Sequence, residues 1–427
     1  MWIFLFVRKG DYRLMKGKFY VVLVWVLSLS FLVFVSGCSV QETQKDTNII
    51  KLAALLPLSG ELGSKGEIRK LAIEMGVEDT NKNWEEEGLD RQFEITVEDS
   101  QSDPEVALSK AKKLWKEGHE IFIVGSSAEV ESIQPWASKK GAIVISYSST
   151  SPALRIEGDS VFRMVPDDTE QAKALADLLE YEGIYGIVPV YRNDIYGSEL
   201  TKHFTEEFES LHGTVTEPVT YQPKETDWEL ISKRIADAVK SLEMEKERVA
   251  VVLVAFDEIA DMLGTSDNED SLEGIRWFGT DTVTLSPVIL EDKEIAEKAS
   301  QVNLTGVTFG IPDSTLFNTI QSELETGTEG VFLPDALFAY DIPGMLASVM
   351  NQLKDPFDRE ELLNHMIEGS ATYAGVTGWT HLNEKGDRKY YHYDIWEVQE
   401  GNDGSNNWIQ TAKYLRNPGL PGYISPN

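Results

Sequence analysis

Hydroxyl side chains crowd one short stretch of the chain, VISYSSTSPAL, which runs from residue 144 to residue 154. Its hydroxyl residues are Ser146, Ser148, Ser149, Thr150 and Ser151. The stretch begins with apolar residues, as a buried strand does, and breaks into hydroxyls before a proline. Hydroxyls donate and accept hydrogen bonds, so they suit a bound polar ligand as well as a solvated turn. The residues alone leave both interpretations open.

Signatures of catalysis are missing from the sequence. The six histidines show no paired metal spacing, and neither a nucleophile elbow nor a phosphate-binding loop is present. Glu98, Asp99 and Asp103 form an acidic group, but a strand end followed by a proline-opened helix explains it without a metal. We therefore expect no enzyme, no cofactor and no metal site.

Strands and amphipathic helices alternate along the chain from Ile49, and the alternation starts again after residue 165. The predicted strands are 49–56, 92–99, 121–125, 142–146, 184–191, 248–256 and 275–281. The predicted helices include 67–82, 104–118, 129–141, 337–353 and 358–369, with a hairpin around the EKGD turn at 384–387. This βαβ alternation predicts an α/β fold with two doubly wound parallel sheets in series.

Ligands of such sheets bind where strands end and helix N-termini offer free N–H groups. Ser126 and Glu129 fit a capping box, so Ser126 could serve only its own helix, which would still leave Ser127 facing a cleft. Tyr196 and Phe256 also lie near strand ends, where half-buried packing is the alternative to ligand binding and is favoured for Phe256 alone. Binding and packing both stay open here.

The first 37 residues have the pattern of an export signal. Basic residues precede an apolar run from Phe19 to Val35, which Ser-Gly-Cys closes at Cys38. VSGC is similar to a lipobox, in which the cysteine becomes the lipidated first residue. An ordinary signal peptide, or an anchor helix with an incidental cysteine, is the alternative. We predict a signal peptide at 1–37, a polar tether at 38–48, and anchoring of Cys38 at the outer face of the cytoplasmic membrane.

The charge balance is strongly acidic, with 39 Lys and Arg against 71 Asp and Glu and a net charge of −32 over 427 residues. Phosphate recognition depends on clustered basic side chains. The composition therefore speaks against nucleic acid as a partner and predicts a well solvated surface.

Six motifs carry a family resemblance in order and spacing: IKLAALLPLSGELGSKGE, VEDSQSDPEVALSKAKKL, FIVGSSAEVESIQPWASKKGAIVISYSSTSPAL, RNDIYG, WFGTD and GVTGWTHLNEKGD. They resemble the extracellular solute-binding proteins of branched-chain amino acid ABC transporters, over residues 49 to 398. The resemblance implies a type I periplasmic binding fold: two lobes, joined by three crossovers, that close on a small ligand.

The same resemblance implies how the chain divides. Lobe 1 would comprise 49–164 plus 286–375, and lobe 2 would comprise 165–285 plus 376–420. It further implies a monomer that captures a small amino acid, branched-chain or related, and delivers it to an ABC permease. An extracellular sensor of the same fold, for an amide, a urea-like compound or a small carboxylate, is the alternative.

The family's ligand-binding roles can be carried over to positions of this sequence. Ser127 matches a serine that binds the ligand α-carboxylate, and Ser149 and Thr150 match residues that complete that site. Asp281 matches the acid that holds the α-ammonium from the other lobe. Hydroxyls and helix N–H groups suit a carboxylate, and a lone acid suits an ammonium.

Two further positions match, and one departs. Tyr196 and Phe256 correspond to aromatic residues that line the wall of the second lobe. Lys65 stands where many relatives have an apolar or aromatic residue. If Lys65 reaches the cleft, an acidic or amide ligand side chain is favoured over leucine; since lysine is usually exposed, we expect it to face water.

Overall fold

The structure is a computed structural model that describes residues 48–223, 226–266, 269–328, 332–389, 391–402, 404–416 and 420–427. Residues Ile49–Asn427 form one compact unit. The predicted signal peptide, Cys38 and most of the tether lie outside the described residues. Among the described helices, none combines the length and the apolar character that a membrane span requires.

The first sheet has five parallel strands in the order β2-β1-β3-β4-β5. The strands are β1 Ile49–Leu56, β2 Gln92–Asp99, β3 Ile121–Val124, β4 Ile143–Ser146 and β5 Val161–Arg163. Between them run helices α1 Gly66–Glu86, α2 Pro104–Lys116 and α3 Ser127–Lys140. All four residues of β3, IFIV, are buried, as expected for a parallel strand covered on both faces.

The second sheet repeats this winding and then extends it with antiparallel strands, in the order β16-β15-β14-β11-β10-β9-β6-β7, with β8 also paired to β6. Its parallel strands are β6 Gly186–Arg192, β7 Thr214–Val215, β8 Val219–Tyr221, β9 Val249–Val254, β10 Arg276–Gly279 and β11 Thr305–Phe309. Its helices are α4 Asp168–Tyr181, α5 Ile195–Ser210, α6 Trp228–Ser241, α7 Ile259–Ser266, α8 Val288–Glu291 and α9 Lys293–Gln301. The added strands are β14 Tyr393–Glu400, β15 Asn406–Leu415 and β16 Tyr423–Pro426, with the separate pair β12 Ala374–Gly375 and β13 Gly378–Trp379.

Three later helices return to the first sheet: α10 Thr315–Gly327, α11 Pro334–Met350 and α12 Arg359–Ser370. Helix α11 packs along α1 and is buried over most of its length. The packing is close, since a Cβ built on Gly76 of α1 would lie 2.2 Å from the carbonyl oxygen of Tyr340. Glycine is therefore needed at this helix crossing.

The chain passes between the sheets three times: after β5, after β11 and before β14. Two passages differ from the predicted lobe boundaries at 286 and 375. Strand β11 pairs with β10 in the second sheet, although 286–375 was expected to belong to lobe 1. Likewise, the turn at 384–387 docks on β5, where Arg163 donates from its backbone N–H to the carbonyl oxygen of Gly386.

The hairpin expected around 384–387 is only partly present. A single bridge joins Leu382 to Arg388 across this turn. The long antiparallel partner of β14 is β15, which follows it along the chain.

Both sheets reverse their winding next to their first strand. In the first sheet the switch lies between β1 and β3, and in the second between β6 and β9. Crevices form beyond the carboxyl ends of strands at such switch points. Lys65 and Phe256 lie in the connections that follow two of these strands, and Ser127 and Tyr196 lie in the first turn of the helices that follow the other two.

Candidate functional site

A cleft lies between the two sheets, at these switch points. From the first-sheet side it is lined by Leu62, Lys65, Arg69, Ser126, Ser127, Ser148, Leu333, Pro334 and Asp335. From the second-sheet side it is lined by Tyr196, Phe256, Asp281, Thr282, Thr284, Thr308 and Phe309. Four of the six predicted ligand-binding residues are in these two sets.

Ser126 and Ser127 occupy the junction of β3 and α3. Ser126 caps the helix in the expected capping box: its hydroxyl accepts from the backbone N–H of Glu129, and its own N–H donates to the Glu129 carboxylate. Ser127 is the first helical residue and is committed to no cap. The helix N-terminus thus presents Ser127 to the cleft.

The Ser127 hydroxyl oxygen is an acceptor for the loop after β4. It accepts from the Ser149 hydroxyl at 3.1 Å, and from the backbone N–H groups of Thr150 and Ser151 at 3.3 Å each. A hydroxyl has one proton to donate. Within the described residues no acceptor takes the Ser127 proton, so it is available to an anionic group in the cleft.

Ser149 and Thr150 lie behind Ser127 and not among the residues that line the cleft. Both are almost completely buried. The Thr150 hydroxyl donates to Oδ2 of Asp168 at 2.9 Å, while Ser148 is the loop residue that reaches the cleft. The hydroxyls of this loop therefore support Ser127 and connect it to a buried acid.

Asp281 provides the acidic end of the cleft. Its Oδ1 accepts from the Tyr196 hydroxyl at 2.7 Å and from Nε2 of Gln171 at 2.9 Å, while its backbone N–H donates to Oε1 of Gln171. Oδ2 accepts no hydrogen bond from the described residues. Burial raises the pKa of Asp281, although the bonds from Tyr196 and Gln171 oppose this. A ligand cation at Oδ2 would favour the ionised form.

A second carboxyl group lies close behind Asp281. Nε2 of Gln171 also donates to Oδ1 of Asp168, at 3.2 Å, so one amide links both acids. Burial and the neighbouring Asp281 charge raise the pKa of Asp168 well above its usual value. Like charges this close disfavour double ionisation. We expect Asp281 to carry the charge and Asp168 the proton.

Tyr196 and Phe256 form the aromatic wall of the second lobe. Their rings stack at 5.6 Å between centroids with an interplanar angle of 26°. The Arg192 guanidinium lies over the Phe256 ring, 3.5 Å from its centroid. Both predicted aromatic residues therefore line the cleft and also pack, with the Tyr196 hydroxyl bound to Asp281.

Lys65 lies in the cleft, contrary to the expectation that it faces water. It is 3 % exposed, and its Nζ donates to the carbonyl oxygen of Thr282 at 2.6 Å. Oδ1 of Asp257 lies 3.7 Å from the same nitrogen. Burial lowers the pKa of Lys65, and the Asp257 charge partly offsets this. The short loop after β1 folds Lys65 inward against the second sheet.

Arg69 lies one turn further along α1 and was not singled out in the sequence. Its Nε donates to Oδ2 of Asp335 at 3.1 Å, and its Nη2 donates to the same oxygen. Its guanidinium also lies 5.4 Å from the ring centroid of Tyr147. The four-residue spacing from Lys65 was the available signal, because it places both side chains on one side of the helix start.

An ion pair and a further hydrogen bond also join the two lobes. Nη2 of Arg192 donates to Oε2 of Glu61 at 2.7 Å, and the Ser64 hydroxyl donates to Asp257. Arg192 is held in place by Asp194 and Glu258. The described conformation is thus a closed one, with bonds that must break when the lobes separate.

No group of His, Cys, Asp and Glu among the described residues could hold a metal ion. The acidic group noted in the sequence has other partners. Glu98 binds Lys110 and Lys113, Asp99 accepts from Ser59, and Asp103 caps α2.

Comparisons with known proteins identify similar sequences and similar folds. An uncharacterised protein of Methanocaldococcus jannaschii is 29% identical over 399 residues, which is 86% of this chain and 93% of that protein. A leucine-binding protein from Thermotoga maritima has a similar structure, with a TM-score of 0.70 and 18% identity over 84% of this chain and 97% of that one.

An ABC transporter substrate-binding protein from Sphaerobacter thermophilus gives a TM-score of 0.68 at 19% identity, covering 88% of this chain and 99% of that one. These structures confirm the predicted type I periplasmic binding fold. The family described as the receptor family ligand binding region matches residues 68–401, which is most of the chain. This match agrees with the prediction that the chain is a binding domain without catalysis. The chain is a member of the receptor family ligand binding region.

Proposed function

We propose that this protein is an exported, lipid-anchored solute-binding protein that captures an amino acid between its two lobes and delivers it to an ABC permease. One observation carries the proposal: two groups of opposite chemistry line the same cleft from opposite sheets. Ser127 offers a hydroxyl proton from the first side, and Asp281 offers a carboxylate oxygen from the second. An α-amino acid carries the complementary pair of charges.

This division also explains closure. A ligand that bonds to Ser127 and Asp281 at once does so fully only when the lobes are together. Its binding free energy therefore favours the closed form over the open one. The similar structures named for leucine binding and for ABC transport support this mode of action.

The lipid anchor is proposed from the sequence. Cys38 follows an apolar export segment and precedes a short polar tether, a position suited to lipidation after cleavage. Mass spectrometry of the protein purified from its native membrane checks this. A diacylated N-terminal Cys38 is expected, and an unmodified Cys38 or a retained segment 1–37 would refute the anchor.

Calorimetric titration tests the binding function. We expect at least one α-amino acid to bind, and its deaminated and decarboxylated analogues to bind at least about a hundredfold more weakly, because each leaves one buried partner unpaired. If no α-amino acid binds, or if the analogues bind equally well, the amino acid function is wrong.

The family description also includes receptors, which favours a ligand sensor as the second candidate. Uptake separates the two. Deleting the gene should abolish high-affinity uptake of the bound amino acid into cells if the protein serves a permease. Unchanged uptake would favour the sensor.

A further inference from the structure

The Arg69–Asp335 pair occupies the part of the cleft wall that neither Ser127 nor Asp281 uses. Arg69 is 4 % exposed, and the Asp335 side chain is 16 % exposed. Both residues line the cleft. Asp335 comes from the first turn of α11 and Arg69 from α1, so two packed helices fix the pair in place.

The pair is bonded through only one carboxylate oxygen. Both Nε and Nη2 of Arg69 donate to Oδ2 of Asp335. Nη1 of Arg69 and Oδ1 of Asp335 are buried and have no hydrogen-bond partner among the residues that the structure describes. A buried donor and a buried acceptor on neighbouring side chains are thus left unpaired, which is costly unless a ligand satisfies them.

The charges in this wall are already matched. Asp335 neutralises Arg69, and Asp257 lies beside Lys65. The Lys65 ammonium also has the Thr282 carbonyl as an acceptor. A ligand carboxylate would bring an uncompensated charge close to Asp335, and a ligand ammonium would bring one close to Arg69.

An aliphatic side chain would leave both free atoms unpaired. A primary amide satisfies both of them, because its carbonyl oxygen accepts and its NH₂ group donates while its net charge is zero.

We propose that the cleft selects an amino acid with a primary amide side chain, glutamine or asparagine. The amide oxygen accepts from Nη1 of Arg69, and the amide NH₂ donates to Oδ1 of Asp335. This inference rests on the proposed amino acid function, with Ser127 and Asp281 holding the backbone groups of the same ligand.

Calorimetric titration of the full chain, purified in detergent, tests the selection with six probes: glutamine, asparagine, glutamate, aspartate, leucine and isoleucine. We expect one of the amides to bind at least about tenfold more tightly than the best acid and the best aliphatic compound, since those leave buried groups unpaired. Tighter binding of an acid would show that Lys65 and Arg69 act as an anion site and would overturn the inference. Tighter binding of leucine or isoleucine would overturn it too, while leaving the amino acid function intact. If none of the six probes binds, both the amide selection and the proposed amino acid function are wrong.

Asp335→Asn gives a sharper test than affinity alone. It removes the charge that neutralises Arg69, so glutamate should gain affinity relative to glutamine by about tenfold or more. Glu120→Gln is the matched control, because Glu120 also pairs with an arginine, Arg359, but does not line the cleft. Its ratio of glutamine to glutamate affinity should equal that of the wild type. An unchanged ratio in Asp335→Asn, with a thermal transition showing that it is folded, would overturn the inference.

Discussion

Nζ of Lys65 donates a hydrogen bond to the carbonyl oxygen of Thr282 across the cleft, at 2.6 Å. The two residues are 217 positions apart in the chain and belong to different lobes. Because this charge-assisted bond exists only while the lobes are together, Lys65 links the loop after β1 directly to closure.

Lys65→Met should therefore weaken ligand binding. Loss of a buried charge-assisted bond favours the open form, and we expect the dissociation constant to rise by about tenfold or more. Calorimetry measures the affinity, and small-angle X-ray scattering of the ligand-free variant should show a larger radius of gyration.

Lys51→Met is the control for this substitution. Lys51 also donates to a backbone carbonyl, that of Glu117 at 3.2 Å, but both residues belong to the first lobe. Its affinity should match the wild type. Equal affinities for all three proteins would contradict the role of Lys65 in closure.

Asp281→Asn should reduce affinity for the bound amino acid by about a hundredfold, because the ligand ammonium loses its buried counter-charge. Asp237→Asn removes an equal charge from an exposed position on the same lobe and should have no effect. Comparable losses in both variants would mean that overall charge, and not a contact at Asp281, governs binding.

Affinity and stability should respond to pH in opposite directions at Asp281. Burial raises its pKa, so the folded ligand-free protein holds this proton more tightly than the unfolded chain does. The stability that this group contributes therefore increases as the pH falls through the raised pKa, whereas ligand affinity falls because the carboxylate is lost. Thermal unfolding measures how stability changes with pH, and calorimetry over the same pH series measures how ligand affinity changes. A rise in affinity with falling pH would rule out Asp281 as the ammonium site.

Asp394 offers a pH prediction away from the ligand. Burial raises its pKa from 3.8 to about 6, against the opposing charge of Lys413 3.9 Å away. The folded state therefore favours the protonated form, and stability is lost as the pH rises from the unfolded towards the folded pKa. Asp394→Asn should raise the free energy of unfolding at pH 7 by roughly 1–3 kcal/mol and by little at pH 3. Denaturant unfolding at both pH values measures this, and an equal change at the two would contradict it.

Gly76→Ala should destabilise the first lobe by about 1–3 kcal/mol, because the new methyl group meets the Tyr340 carbonyl of α11. Gly264→Ala is the matched change in another helix, where the nearest atom to a new Cβ is Cδ1 of Ile295 at 3.5 Å. That variant should be slightly stabilised, by about 0.5–1 kcal/mol, since alanine favours helix over glycine. Denaturant unfolding measures the stability of both variants. If Gly264→Ala is the less stable of the two, the close packing of α1 against α11 is contradicted.

The alternation of strands and helices could be predicted because the central strands are buried on both faces. Segments such as IFIV in β3 and VAVVLV in β9 are unbroken apolar runs that fit few other structures. The boundaries between the lobes could not be predicted in the same way. Strand β11, TGVTF, has a weak pattern and joins the second sheet through its pairing with β10.

The candidate site, like the fold, could be predicted from the sequence only in part. Ser127, Tyr196, Phe256 and Asp281 lie beside strand ends, so their place in the cleft follows from topology. Lys65 was misjudged because an exposed lysine is the default, and the residue that draws it inward is 217 positions away. The residues near Lys65 in the sequence do not indicate a partner this far along the chain.

The late return of the chain to the first sheet sets an order for folding. Helix α11 covers α1, yet it is synthesised only after the parallel strands β6 to β11 of the second sheet. A nascent chain that ends before residue 334 therefore exposes the apolar side of α1 and leaves the core of its first lobe uncovered. Such a chain can complete the core of its first lobe only after residues 334–350 have been synthesised.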